Sequence, residues 1–550
     1  MTVIPAADPA LAIERLSITL PAGAERRLAV EDVSLALPAG QITCVVGASG
    51  SGKTMLANAV IGLLPEGVRA VAGEIRCDGQ NLLALPPAAL RQIRGRRVGM
   101  VFQEPMTALN PLQRIGRQIG EILRTHTDLS AAAIRARVLQ LLGEVRLPDP
   151  ATAIDAYPHQ LSGGQRQRAM IAMAMALEPP VLIADEPTTA LDVTTQAQIL
   201  ALIRALQRRR GTAVLFITHD FGVVADIADQ VAVMSGGHLV EHGPAASVLQ
   251  QPRHAATRAL IAAVPTLQVP PPRPVPSRDA ALRIDGLTKT FAERSLLGRV
   301  KRRVAALAGV SLTLPRGSTL GIVGESGSGK STLARCLVRL LEADAGAVRI
   351  GDCPFSTLRG SELRTARRRV QMIFQDPFAS LNPRRRVGTL LAQGPVLQGV
   401  PVTEARRRAT ELLELVGLDP AAAERYPHEF SGGQRQRICI ARALTMQPEI
   451  LVADEPVSAL DVSIQAQVLA LLADLQARLG LSMVFITHDL RIAASICDRI
   501  AVMQNGRVVE EGETARLFTA PAHPYTAALL AAVPGRRERF GSPPTSHTNP

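Results

Sequence analysis

Two glycine-rich segments of the pattern G-x-x-x-x-G-K-[ST] stand 277 residues apart, Gly47-Ala-Ser-Gly-Ser-Gly-Lys53-Thr54 and Gly324-Glu-Ser-Gly-Ser-Gly-Lys330-Ser331. Each follows an apolar run, Ile42 to Val46 or Leu320 to Val323, so the local order reads strand, loop, helix. The glycines (Gly47, Gly50 and Gly52; Gly324, Gly327 and Gly329) let backbone N–H groups curl around phosphate oxygens, with Ser49 and Ser326 in the same turns. The helix N-terminus adds partial positive charge, and Lys53 or Lys330 reaches the terminal phosphates. Such a loop works only at the end of a strand in an α/β sheet, so the chain must build that arrangement twice.

The rest of the sequence repeats with the loops. The halves align with an offset of 271 at the first strand, Leu11 to Leu20 against Leu282 to Phe291, and 277 at the loops, the difference being a basic run, Arg294 to Arg303. The offset falls to 272 at Gln103/Gln375 and settles at 269 from Ser162/Ser431 to Pro265/Pro534. A chain of 550 residues is too long for one core. The predicted division is residues 1–265, a Pro-rich linker 266–280, residues 281–534 and a polar, disordered tail 535–550. Short β-rich runs (Val181 to Asp185, Ala213 to Thr218, Gln230 to Val233) alternate with helical patterns (Ala131 to Leu142, Thr195 to Arg208), which predicts parallel sheets with crossover helices.

Composition removes several classes. The six cysteines are scattered without a C-x-x-C pair, excluding a zinc module or a disulfide framework and fitting reduced thiols of the cytosol. The longest apolar run, Ala169 to Leu177, is far short of a membrane span, and Met1 to Ala10 has no basic leader; any membrane role is expected to be peripheral. The net charge of +13 suits nucleotide phosphates, anionic headgroups or RNA, or simply reflects an arginine-rich composition. Only 3% of residues are aromatic and none is Trp, which leaves few platforms for stacking bases.

Phosphoryl transfer to water needs a metal ion, a positioned water and charge compensation at the γ-phosphate. Thr54 and Ser331 present hydroxyls able to ligate Mg²⁺, and the apolar strands ending at Asp185 and Asp454 deliver a metal carboxylate. Glu186 and Glu455 follow immediately, placed to orient or deprotonate water. Gln103 and Gln375 end a further strand with an amide that can touch both metal and water. Leu161-Ser162-Gly163-Gly164-Gln165 and Phe430-Ser431-Gly432-Gly433-Gln434 are helix starts whose serines can serve an anion or act as plain N-caps. His219 and His488 stand at strand ends within reach of a γ-phosphate. His238 and His242 have metal spacing only on a helix, whereas Gly236-Gly237 predicts a hairpin.

Taken together, these motifs, with Ala190-Leu-Asp192 and Ala459-Leu-Asp461, resemble the ATP-binding cassette family over nearly the whole chain, twice. The resemblance implies two P-loop cassettes in tandem, each with a RecA-like core sheet, an antiparallel β subdomain and a helical subdomain, using ATP and Mg²⁺. It assigns metal roles to Thr54, Gln103, Asp185, Ser331, Gln375 and Asp454, and catalytic roles to Glu186, His219, Glu455 and His488. It implies a head-to-tail clamp in which Ser431, Gly433 and Gln434 complete the first site and Ser162, Gly164 and Gln165 the second. It also places an adenine-stacking aromatic near the end of the first strand, matched by Phe291 but by Leu20 in the first half.

A narrower likeness lies in Gln103-Glu-Pro-Met-Thr-Ala-Leu-Asn-Pro111, Gln375-Asp-Pro-Phe-Ala-Ser-Leu-Asn-Pro383, Tyr157-Pro-His159, Tyr426-Pro-His428 and Pro521-Ala-His-Pro-Tyr525 with Leu529 to Pro534. These resemble the ATPases of dipeptide, oligopeptide, glutathione and nickel importers, here with two subunits fused. The first half's Pro252-Arg-His254 to Pro265 lacks the tyrosine. No cysteine follows Cys497, so the iron–sulfur centre of some relatives is not implied. Expected partners are two transmembrane permeases and an extracytoplasmic solute-binding protein, at the cytoplasmic face of the inner membrane, with no nucleic acid. The competing class, a soluble tandem cassette acting on ribosomes or nucleic acid, joins its cassettes by a long charged helix or carries zinc modules, unlike this chain.

Overall fold

The computed structural model describes residues 8–21, 26–189, 191–265, 267, 279–294, 300–458 and 460–535. The segment Val269 to Pro276, the tail beyond Gly535, Ala190, Ala459 and the middle of the basic run lie outside the described residues. The chain divides into two compact units, with the main break between Val264 and Pro265.

The first unit is organised by a six-stranded sheet in the spatial order His238–Pro244, Gln230–Ser235, Ile42–Val46, Ala213–Ile217, Val181–Asp185, Val98–Val101. Its inner strands are parallel and only the outer hairpin is antiparallel. Ile42–Val46, Val181–Asp185 and Ala213–Ile217 are buried at every position, which is why they read as apolar runs, interrupted only by Thr43 and closed by Asp185, and not as alternations. A separate antiparallel sheet runs Leu28–Leu37, Leu11–Thr19, Ala70–Cys77, Gln80–Asn81. Helices Ile115–His126 and Ala131–Glu144 pack together, and Gly163–Ala174 packs on both.

The second unit repeats the plan. Its sheet runs Val370–Ile373, Ile450–Asp454, Ser482–Ile486, Thr319–Val323, Arg499–Gln504, Arg507–Glu513, again parallel except for the last hairpin. The smaller sheet has Ala280–Arg294 between Val300–Pro315 and Ala345–Ile350. The two paired strands of this half that flank the basic run are longer, 15 and 16 residues against 9 and 10 in the first. Among the described residues no helix is long and apolar enough to cross a membrane.

His238 and His242 fall on the strand His238–Pro244, paired antiparallel with Gln230–Ser235, as the glycine pair predicted. The described residues contain no cluster of three or more His, Cys, Asp or Glu able to hold a metal.

Candidate nucleotide sites

Parallel strands end on one side of a sheet, and the crevice there is the usual ligand position of such folds. In the first unit Val45 and Asp185 both lie opposite Ile217, so the phosphate loop, the Asp185 carboxylate and the residues following Ile217 emerge side by side. The loop passes directly into helix Lys53–Val60, whose N-cap is Gly52. A Cβ on Gly52 would stand 2.5 Å from the Ala29 carbonyl oxygen, at a φ of 104° that side chains rarely adopt. Gly329 repeats this against Ala306, at 2.3 Å. The helix start is therefore open to glycine alone.

Lys53 is buried, and its ammonium donates to the carbonyls of Gly47 at 2.8 Å and Ala48 at 2.9 Å. Lys330 does the same to Gly324 and Glu325, each at 2.7 Å. Each cation thus bridges the mouth of its own loop, beside the anion cradle. Thr54 donates its hydroxyl to Asp185 at 3.4 Å, and Ser331 to Asp454 at 3.2 Å. Burial raises the Asp185 carboxyl to about 6, with the Thr54 hydroxyl pulling the other way. Burial and then the neighbouring Glu455 charge raise Asp454 likewise. A hydroxyl, an amide and a buried carboxylate whose charge is poorly compensated form an oxygen donor set of the kind Mg²⁺ prefers, so the residues present fit that ion.

Glu186 begins where the strand stops. Its backbone is left-handed, with φ of 45°, and its N–H donates to Ile217 at 3.0 Å. Glu455 matches it at 46°, donating to Ile486 at 2.9 Å. Non-glycine residues held this way cost about 1–3 kcal/mol and concentrate at functional sites. The turn aims the carboxylate back across the strand ends. Gln103 donates its amide to Glu186 at 2.9 Å, Thr189 donates its hydroxyl at 3.0 Å, and His219 Nδ1 stands 3.2 Å away. In the second unit Gln375 donates to Glu455 at 2.9 Å and His488 Nδ1 lies at 3.3 Å. Burial pushes the Glu186 carboxyl up, but the hydrogen bond and charge of His219 prevail and hold it below the usual carboxylate range. Burial opposes the charge on His219 too, and Glu186 overrides it, raising the imidazole; Glu455 and His488 behave alike. The arrangement keeps an ionised, oriented carboxylate at the rim of a phosphate cradle, which is what activation of a water requires.

The sequence-predicted residues of each half other than the signature and adenine-stacking positions converge on one strand-end region. Thr189 was not singled out by the sequence; a lone threonine three residues beyond a glutamate carries no signal of its own. Ser162 and Ser431 form capping boxes: each hydroxyl accepts the N–H of Gln165 or Gln434 at 3.3 Å, and the glutamine oxygen accepts the serine N–H at 2.9 or 3.0 Å. A Cβ on Gly164 would meet Thr195 at 2.5 Å, and one on Gly433 would meet Ile464 at 2.5 Å. Phe291, on strand Ala280–Arg294, is 45% exposed, whereas Leu20, one residue past strand Leu11–Thr19, is half-buried against the core.

Comparison with known proteins finds relatives along nearly the whole chain. The ABC transporter family model matches residues 30–189 and 307–458. A second model, described as the oligopeptide/dipeptide transporter C-terminal region, matches residues 240–294 and 509–546. The peptidoglycan transport ATP-binding protein YejF of Agrobacterium fabrum is 47% identical over 529 residues, covering 96% of each chain. The glutathione import ATP-binding protein GsiA is 45% identical over 560 residues, in both Escherichia coli O157:H7 and strain K12, covering 95% of this chain and 89% of that protein.

Proposed function

The chain belongs to the ABC transporter family and is an ABC-type ATPase, and from that membership we propose that it energises import of peptides or related small solutes through partner permeases, with both ATPase halves in one chain. The observation that carries the import reading is the oligopeptide/dipeptide C-terminal match in both halves, at residues 240–294 and 509–546. The relatives named for peptidoglycan transport and glutathione import, similar along nearly the full length, support the same class of cargo.

In this reading each phosphate loop binds the β- and γ-phosphates with backbone N–H groups, and Lys53 or Lys330 moves from its loop carbonyls to the phosphate oxygens. Thr54, Gln103 and Asp185 would hold Mg²⁺ in the first half, and Ser331, Gln375 and Asp454 in the second. When bound, that ion supplies charge neutralisation on the transferring phosphoryl group. Glu186 and Glu455 orient and deprotonate the attacking water, while His219 and His488 position those carboxylates and offer a proton-bearing nitrogen to the γ-phosphate. The signature residues Ser162, Gly164, Gln165, Ser431, Gly433 and Gln434 complete the sites in the head-to-tail sense that family membership supports. ATP closure of the halves is passed to two permeases at the cytoplasmic face of the membrane, and an extracytoplasmic binding protein delivers the solute. The ribosome or nucleic-acid reading finds no support among the relatives.

The test is uptake. Membrane vesicles carrying the chain and its partner permeases are expected to accumulate labelled di- or oligopeptide or glutathione only with ATP. Full uptake by vesicles carrying Glu186→Gln/Glu455→Gln protein, or recovery of the chain on ribosomes without membrane proteins, would refute the proposal.

A further inference from the structure

In the second half, the C-terminal segment that distinguishes this subfamily hydrogen-bonds to the phosphate loop through a phenol that the first half lacks. Helix Pro524–Ala531 is fastened to the edge of the second sheet by Glu510, whose carboxylate accepts the N–H groups of Ala522 at 2.8 Å and His523 at 3.0 Å. His523 then caps the helix, its Nδ1 accepting the N–H of Tyr525 at 3.1 Å. That fixes the start of the helix, and Tyr525 packs partly buried against the core. Its phenolic oxygen accepts the backbone N–H of Glu325 at 3.1 Å. Glu325 is the second residue of the loop, and its carbonyl is one of the two that hold Lys330.

The first half builds the same bracket without the contact. Glu241 accepts the N–H groups of Arg253 at 2.9 Å and His254 at 3.0 Å, and His254 Nδ1 accepts that of Ala256 at 3.1 Å. By the constant offset of this region, Ala256 occupies the place of Tyr525. A methyl group neither donates nor accepts. The scaffold is thus duplicated and the hydroxyl is not, so the bracket's own construction does not account for the phenol. Burial pushes that phenol up to about 12.

We propose that Tyr525 is a positioning residue for the second phosphate loop: its oxygen holds the Glu325 amide, and through it the carbonyl beside Lys330, so that the C-terminal segment sets nucleotide affinity in the second half alone. The proposal rests on the Lys330 loop being an ATP site. The full-length chain is tested in two single-site backgrounds, Lys53→Ala leaving the second loop to bind and Lys330→Ala leaving the first. Tyr525→Phe, which keeps the ring and removes one oxygen, is expected to raise the ATP Kd about threefold to tenfold in the Lys53→Ala background. In the Lys330→Ala background the Kd should not change. Amide exchange of nucleotide-free protein provides a second measurement: protection across residues 324–331 should fall, with residues 47–54 unaffected. An unchanged Kd and unchanged exchange at 324–331, or losses of equal size in both backgrounds, overturn the proposal. A Lys53→Ala protein that binds no ATP before Tyr525 is altered would instead overturn the assignment of the second loop as an ATP site, and the tether with it.

Discussion

The two halves share their chemistry and differ in its surroundings. In each, a lysine bridges two loop carbonyls, a hydroxyl meets the strand-end aspartate, and a left-handed glutamate accepts a glutamine amide beside a histidine. The departures lie one layer out. Thr189, which donates to the Glu186 carboxylate, stands where the smaller Ser458 does in the second half. Leu20 stands where Phe291 does, and Ala256 where Tyr525 does. We propose that these are two working sites tuned to different affinities, since supporting positions differ while the proposed reacting positions are kept. One working site and one relic would leave the opposite pattern.

The comparison breaks most decisively at the glutamates. Glu186→Gln and Glu455→Gln are each expected to lower steady-state ATP hydrolysis heavily, and the double variant by roughly 10²–10⁴-fold. The double variant should also retain ATP in a closed clamp. Wild-type turnover in either single variant, measured by phosphate release, would make that half regulatory and end the equivalence.

A smaller effect is expected at the hydroxyls. Thr54→Ala and Ser331→Ala should each raise the Mg²⁺ concentration for half-maximal turnover by about ten- to a hundredfold. A large change in one variant with none in the other would mean that the halves hold the ion differently.

The next difference is in adenine contact. Base stacking on an aromatic contributes about 1–3 kcal/mol, so the first half should bind ATP roughly tenfold more weakly than the second when each is titrated in a chain whose other loop lysine is Ala. Phe291→Ala should remove the advantage and Leu20→Phe should confer it. Equal affinities in the unmodified sites would dispose of the asymmetry. Least affected should be the helix caps: Ser162→Ala and Ser431→Ala are each expected to cost about 1 kcal/mol of stability, readable by denaturant titration. A far greater loss of hydrolysis than of stability would separate the anion role from the capping role that both serines display.

Much of this was legible from local pattern. Val181–Asp185 and Ile42–Val46 begin and end where the mainly apolar runs predicted, because a strand covered on both faces is filled largely with apolar side chains, Thr43 being the buried exception. Helix Ala131–Glu144 starts where its helical pattern predicted, under the Ser130 cap, and extends two residues past the predicted end. What escaped the sequence is what depends on distant partners. The Tyr525–Glu325 bond spans 200 residues and has no local signature. The left-handed backbone of Glu186 and Glu455 contradicts local preference, since nothing in a glutamate asks for positive φ. The sheet imposes it, through the bonds to Ile217 and Ile486.

That strained glutamate has a bearing on the history of the chain. A position held in an unfavourable backbone conformation is one where many substitutions, glycine above all, relieve strain and stabilise the fold. Released from selection, it would be among the first to erode, because erosion there brings a stability benefit where erosion elsewhere in the core brings a loss. Both halves still hold it, at φ of 45° and 46°. Two copies of an expensive conformation, kept in one chain, support the proposal that both sites hydrolyse ATP.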